Sequence, residues 1–260
     1  YEDTYSGVIP RSYSMSDFAR HRLERSSVQM ARISQLQLPK KSRCLDAGCG
    51  IGGLVAAANL AGYDYYGFEI DPTAADIARQ LLRVNHISPR KIRSDPKFAN
   101  LKFDFVSSFE VVEHVADLPG YFGDVRKVIK PQGKFFIETP NYTIPYEPHF
   151  YIFFPPCPNI LKWWCCRLAG RTNKKFFDEL RFVTPQIVER ALRNQGFTFT
   201  NLGQTEWSAL LTSRDVQGRS VYINALANFL SLTNLGGLAK WLANRGLYTP
   251  LVYLATPRKN

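Results

Sequence analysis

The sequence predicts an α/β protein built on a parallel, doubly wound sheet. Strand-like and helix-like segments alternate through the front half, the pattern of βαβ units. A glycine-rich turn stands between the first such strand and the helix that follows it. The chain has 260 residues, 45% of them hydrophobic, enough for one generous core with insertions rather than two domains.

The elements follow in order. Ser16-Asp17 is the expected cap of a helix running through Phe18, Leu23, Val28 and Met30 to Leu36, and Pro39-Lys40-Lys41 ends it. Arg43 to Asp46 is a short strand that breaks into AGCGIGG, after which Leu54 to Ala58 has a helical composition. Tyr63 to Ile70 is a second strand, and Asp71-Pro72 opens a helix through Ile77, Leu81 and Leu82. A third strand is expected near Lys91 to Arg93, and a fourth at Phe103 to Ser107. Phe109 to Val115 begins a turn and helix, and Tyr121 to Ile129 continues helical. Pro131-Gln132-Gly133 is a turn, and Lys134 to Glu138 is the fifth strand. Thr184-Pro185 caps and opens a helix that Gly196 closes. Phe197 to Trp207 is a sixth strand, and Leu251 to Thr256 a seventh. Thr139 to Phe182 and Ser208 to Thr249 interrupt the pattern and are too long for plain loops.

Composition excludes several classes. With 13% aromatic residues the chain is neither disordered nor a coiled coil. Lys plus Arg number 33 against 22 Asp plus Glu, a net charge of +11, which favours anionic partners. Cysteines 44, 49, 157, 165 and 166 are odd in number, and two are adjacent, so a reducing compartment is expected in place of a disulfide framework. No pair has structural-zinc spacing. No run of about 18 apolar residues suggests a spanning helix. The opening YEDTYSGVIPR lacks a signal-peptide layout. A cytoplasmic chain, or one peripheral to a membrane, is the expectation.

The strongest motif is Asp46-Ala-Gly48-Cys49-Gly50-Ile-Gly52. Glycines after a strand let the backbone turn tightly and approach a ligand. Glu69, in GFEID at the end of the next strand, is spaced to take both hydroxyls of a ribose. The alternative is a tight turn that only packs a helix, with Glu69 merely exposed. The pattern is GxGxG preceded by an acid, unlike the dinucleotide fingerprint. A carboxylate at Asp46 repels a pyrophosphate but suits a cationic group.

LDAGCGIGG, GFEID, FDFVSSFEVVEHV and IKPQGKFFIETPN, in this order and spacing, resemble a class I S-adenosylmethionine-dependent methyltransferase. The nearest branch is that of ubiquinone-biosynthesis O-methyltransferases and small-molecule methyltransferases. The resemblance is close over about residues 40–140 and looser over 184–207 and the last strand. It implies a Rossmann-like sheet of seven strands, order 3-2-1-4-5-7-6, with the last strand antiparallel and a helical cap formed by the insertions. It implies an enzyme using S-adenosyl-L-methionine and releasing S-adenosyl-L-homocysteine. Asp46, Gly48, Cys49, Gly50 and Gly52 would form the turn on the methionine moiety. Glu69 would hold the ribose and Ile70 pack on adenine. Asp95 would meet the adenine amine, while Phe109 and Glu110 border the sulfonium. The expected organisation is an N-terminal helical segment closing over the cofactor (1–40), a core (41–138), a first insertion (139–183), a core helix and strand (184–207), a second insertion (208–249) and a last strand with tail (250–260).

Glu110, Glu113 and His114 share a face if helical. In ubiquinone-type relatives a similar E-x-x-E-H string is associated with a divalent metal. Support of the cofactor loop without metal is the preferred reading here. Methyl transfer to a hydroxyl needs a base. His149, after the fifth strand, and His114 are the joint candidates, each equally readable as a structural histidine. His86 belongs on the far side and His21 in the N-terminal helix. Tyr142, Tyr146 and Glu147 are expected to line the acceptor pocket, the tyrosines being equally readable as plain packing groups. The insertions mix aromatic and apolar residues with Lys162, Arg167, Arg171, Lys240 and Arg245. They read either as an ordinary cap or as a greasy lid for a lipid-linked substrate or an anionic membrane. The expected acceptor is a hydroxyl on a small molecule, lipid or glycan. An RNA or protein methyltransferase and a non-catalytic cofactor-binding subunit are the alternatives. Nucleic acid fits less well, because the basic residues are scattered and no RNA-binding motif is present.

Overall fold

The computed structural model describes residues 15–81, 86–88, 100–150, 152–154, 157–206 and 236–258. Helix α1, Met15–Gln35, precedes strand β1, Arg43–Ala47. Helix α2 is Gly53–Leu60, β2 is Asp64–Phe68, α3 is Pro72–Leu81 and β3 is Ile87–Ser88. Strand β4, Phe103–Phe109, leads through a 3-10 turn at Val112–His114 to helix α4, Leu118–Val128. Strand β5 is Ile129–Thr139. The first insertion holds β6 (Tyr146–Glu147), β7 (Ile152–Phe153), α5 (Asn159–Leu168) and α6 (Lys174–Glu179). Then come α7 (Pro185–Asn194), β8 (Phe197–Asn201), α8 (Gly236–Asn244) and β9 (Leu251–Pro257).

Seven strands form one sheet in the order β3-β2-β1-β4-β5-β9-β8. Strands β1 to β5 pair in parallel, and β9 runs antiparallel to both β5 and β8. This is the arrangement the resemblance implied, with β8 and β9 as its sixth and seventh strands.

Alternate residues of each strand serve opposite layers, because side chains alternate across a pleated strand. Leu45, Val106 and Phe135 pack with Phe122 and Val125 of α4 and Val188 and Leu192 of α7. Their neighbours Cys44, Phe105 and Phe136 pack on the other face with Leu54, Val55 and Ala58 of α2, Ala75 and Ala78 of α3, and Ile33 of α1. Both faces are covered, as a parallel sheet requires. A separate core joins Phe150, Phe154, Trp163, Cys166, Phe176, Phe177 and Leu180 in the first insertion, which forms a cap. All five cysteines are free thiols.

Several boundaries differ from expectation. Ser16 and Asp17 lie inside α1 rather than capping it. The third strand is at Ile87–Ser88; Lys91 to Arg93 lie outside the described residues. Pro131, Gln132 and Gly133 belong to β5, where they bulge out between the pairs Phe103–Ile129 and Phe105–Lys134. Their turn chemistry is used within the strand as a bulge. The expected helix from Phe109 is only the short 3-10 turn; α4 starts at Leu118, where Asp117 accepts a hydrogen bond from the Gly120 amide at 3.0 Å. Thr184 precedes Pro185 as expected but makes no side-chain cap bond. Strand β8 stops at Asn201, whose side chain accepts from the Gln204 amide at 3.2 Å and starts a helical turn at 202–206.

Candidate functional site

The carboxyl ends of β1, β2 and β4 meet at a cleft of about 620 Å³. An open parallel sheet binds ligands at that edge. The turn after β1 forms its floor. Gly48 has φ +96°, and a Cβ there would fall 2.4 Å from Val111 Cγ2, so only glycine fits. The Gly48 and Cys49 amides both donate to the Phe68 carbonyl, at 2.7 and 2.9 Å, tying the turn to the end of β2. Gly52, also left-handed, is the residue before α2; Asp46, Gly48, Cys49 and Gly50 face the cleft, and Gly52 does not.

Glu69 stands beside the turn. One carboxylate oxygen accepts from the Gly50 amide at 2.7 Å, the other from the Asp71 amide at 2.9 Å. Burial raises its pKa, while these amide bonds act the other way. Each oxygen keeps a lone pair for a further donor. Ile70 follows, 64% exposed and on the cleft wall. Asp46 is buried, accepts from Ser107 Oγ at 2.7 Å, and is pushed up to about 7 by burial, with Glu69 adding to the rise. Ser107 also contacts Tyr65 Oη at 3.0 Å.

Phe109 ends β4 and Glu110 follows it, both on the cleft wall. Glu110 has φ +54° and its amide donates to Glu138 O at 2.8 Å. Its carboxylate pairs with Arg25 of α1. Arg32 of α1 pairs with Glu138 at 3.1 Å, and Arg25, Ser26 and Gln29 complete the wall. This left-handed turn separates Glu110 from the 3-10 turn at Val112–His114, so the expected single helical face of Glu110, Glu113 and His114 does not form.

A different cluster forms behind the wall. One ligand atom each of Glu113, His114 and His149 lie within 4.8 Å of one another. Glu113 is fully buried; Oε2 accepts from Thr139 Oγ1 at 2.8 Å, and Oε1 lies 3.8 Å from His149 Nε2 with no hydrogen bond. Burial pushes Glu113 up to about 7, the His149 charge opposing. Glu147, also fully buried, holds His149 Nδ1 at 2.6 Å and its amide at 2.8 Å. Burial alone lowers the His149 pKa, but Glu147 and Glu113 outweigh it and the net direction is up. The His114 ring meets the His149 ring edge-on at 5.4 Å and Phe176 at 5.4 Å. His114 and Phe176 line the cleft; His149 does not.

One carboxylate and two imidazoles suit a divalent metal, and the Glu147 bond to His149 Nδ1 is the outer support such a histidine needs. The buried, unbonded Glu113 Oε1 is consistent with that donor set.

The remaining expectations place as follows. Tyr142 packs on Phe182 at 5.0 Å and Tyr146 on Phe153 at 4.7 Å; neither they nor Glu147 line the cleft. Tyr142 packs against the sheet core, and Tyr146 against an exposed ring of its own hairpin. Asp95 lies outside the described residues, as does the His21 side chain. His86 stacks on Tyr66 at 4.6 Å, away from the cleft lining. Sequence reasoning missed Arg25, Gln29, Tyr121 and Phe176. It also missed Ser107 and Ser108, two buried hydroxyls at the end of an apolar strand. That polarity was a readable signal: Ser107 serves Asp46, and Ser108 contacts Tyr121 Oη at 2.9 Å.

A family model described as "Methyltransferase domain" matches residues 18–202. A ubiquinone biosynthesis O-methyltransferase of Rhodopseudomonas palustris is 28% identical over 191 residues, covering 71% of this chain and 67% of that protein. One from Bartonella tribocorum is 35% identical over 104 residues, covering 39% and 42%. The matches thus span from under half to about two thirds of these relatives. Among solved structures, geranyl diphosphate C-methyltransferase of Streptomyces coelicolor, bound to Mg2+, geranyl diphosphate and S-adenosyl-L-homocysteine, aligns with TM-score 0.52 at 17% identity, over 98% of this chain and 89% of that one. A cyclopropane synthase of Mycobacterium tuberculosis aligns with TM-score 0.52 at 15% identity, over 98% and 94%. At such identity these structures speak for the fold. With the family model covering most of the sequence and the sheet in the implied order, the chain belongs to the methyltransferase-domain family, in its class I S-adenosylmethionine-dependent form.

Proposed function

We propose that the chain transfers the methyl group of S-adenosylmethionine to a hydroxyl of a small-molecule or lipid acceptor, with His114 taking the hydroxyl proton. The observation that carries this is one cleft lined by the glycine turn, Glu69 and His114 together. The names of the O-methyltransferase relatives support the oxygen acceptor.

The chemistry is a displacement at the methyl carbon. The acceptor oxygen forms a bond to carbon as the carbon–sulfur bond breaks, and the sulfonium becomes a neutral thioether. The protein aligns the three atoms and removes one proton. Glu69 takes the ribose hydroxyls and the amides of the turn approach the methionine moiety. Asp46 orders the floor and faces the cofactor's cationic end. His149, held by Glu147 and facing Glu113, positions His114. Glu113, His114 and His149 are the residues that would hold a divalent metal; with one bound, His114 would serve as a ligand, and the metal would orient the acceptor hydroxyl and ease loss of its proton.

The test is transfer of labelled methyl from S-adenosylmethionine to isoprenoid phenols, with the product position read by NMR. Methyl on oxygen, with His114→Ala lowering kcat about 10²-fold at unchanged cofactor affinity, is the expected result. Methyl on carbon or nitrogen, or full activity in His114→Ala, would overturn it.

A further inference from the structure

Helix α5 is greasy on two sides. Trp163 and Cys166 face the cap core. Ile160, Leu161, Trp164 and Leu168 are 60%, 50%, 54% and 85% exposed. At about 100° per residue these four fall within an arc of roughly 100°, on the side away from Trp163 and Cys166. No other described element places four large apolar side chains in solvent together.

Basic residues outnumber acids in the segment that carries this stripe. Between residues 157 and 180 stand Lys162, Arg167, Arg171, Lys174 and Lys175 against only Asp178 and Glu179. Helix α5 itself carries no acid. Arg167 is exposed on the edge of the stripe, and Lys162 lays its ammonium over the Phe182 ring at 4.0 Å. Among the described residues no helix is long and apolar enough to cross a membrane. A short helix with an apolar stripe, an outward tryptophan and a flanking arginine fits the plane of a bilayer interface.

We propose that the outward face of α5 docks the protein on an anionic bilayer. Charge complementarity selects this occupant: the stripe offers apolar insertion beside the exposed Arg167, on a helix that carries no acid, within a chain of net charge +11. The location has a use. The cap core that anchors α5 includes Phe176, and Phe176 and Glu179 of α6 line the cleft. The docking face and the cleft wall thus belong to helices that share one core, which would hold a docked protein's cleft close to a lipid acceptor. That last step rests on the proposed methyl transfer; the docking itself does not.

The experiment is flotation of the full chain with phosphatidylcholine vesicles, with and without phosphatidylglycerol, at low and high salt. Trp fluorescence gives a second readout. Binding to anionic vesicles only, weakened by salt, is expected. Leu161→Glu with Trp164→Glu should lower the bound fraction by about tenfold or more, because burial of apolar area and attraction to anionic lipid are both lost. The melting temperature and affinity for S-adenosylhomocysteine should stay unchanged, since these side chains touch neither core nor cleft. Three results would overturn the proposal: no binding to anionic vesicles, equal binding to neutral ones, or binding untouched by the double variant. A dimer in solution that the double variant dissolves, without vesicle binding, would assign the face to a second copy instead. Turnover is not read, so vesicle binding and methyl transfer can fail separately.

Discussion

Removal of the Glu69 carboxylate tests the cofactor site most directly. Its two oxygens already accept from the Gly50 and Asp71 amides, at 2.7 and 2.9 Å. The proposed role adds one ribose hydroxyl to each oxygen. A hydrogen bond to a charged group contributes about 1.5–3 kcal/mol, so two such bonds set a ceiling of about 3–6 kcal/mol. Water entering the vacated space recovers part of this. Glu69→Ala should therefore raise the Kd for S-adenosylhomocysteine by about 10²-fold or more, read by titration calorimetry. Glu69→Gln is the sharper variant. Its amide nitrogen must face one of two backbone N–H donors, so one loop bond is lost and one hydroxyl loses its charged acceptor. About tenfold weakening is expected for it. Thermal melts separate binding from folding. If both variants bind within about twofold of the parent while melting normally, Glu69 does not hold the ribose and the cofactor assignment fails.

Other expectations follow from the same geometry. Gly48→Ala must carry a φ of +96° and a Cβ 2.4 Å from Val111 Cγ2. Strain of about 1–3 kcal/mol should lower the melting temperature and weaken cofactor binding together; a melt and an affinity both unchanged would show a turn that relaxes freely. Asp46 sits at about 7 in the free protein, so it is largely protonated below that value. A cationic cofactor favours the ionised form, so affinity for S-adenosylmethionine should fall as pH drops from about 8 to 6, and Asp46→Asn should flatten the profile. Equal slopes for both proteins in calorimetry would exclude Asp46 as the group. Phe177 anchors the cap core, apart from the sheet. Phe177→Ala removes contacts worth about 3–5 kcal/mol and should raise hydrogen exchange across 159–180 more than in the sheet; a uniform rise would mean the cap and sheet unfold as one unit.

Much of the front half was legible because its signals are local. Asp71 accepts from the Thr73 amide at 2.8 Å and starts α3 where the Asp-Pro pair predicted. The bulge at Pro131 to Gly133 shows the limit: residues with turn chemistry mark a bend, but its embedding in a strand depends on the partner at Phe103 and Phe105.

The sequence by itself determined the alternation of the first five strands, the glycine turn, and the place of Glu69 one strand later. Those features depend on backbone conformation and burial of neighbouring residues, which short stretches encode. Tertiary structure alone decided the chemistry behind the wall. It took Glu110 away from Glu113 through a left-handed backbone and an ion pair with Arg25, 85 residues earlier. It brought His149 to Glu113 and His114 through the fold of the insertion, and turned Tyr142 and Tyr146 into packing groups. It also chose which residues of α1 face the cleft, Arg25, Ser26 and Gln29. Such contacts join residues far apart in the chain, and their energies exist only after the sheet and cap have closed around them, so no local pattern records them.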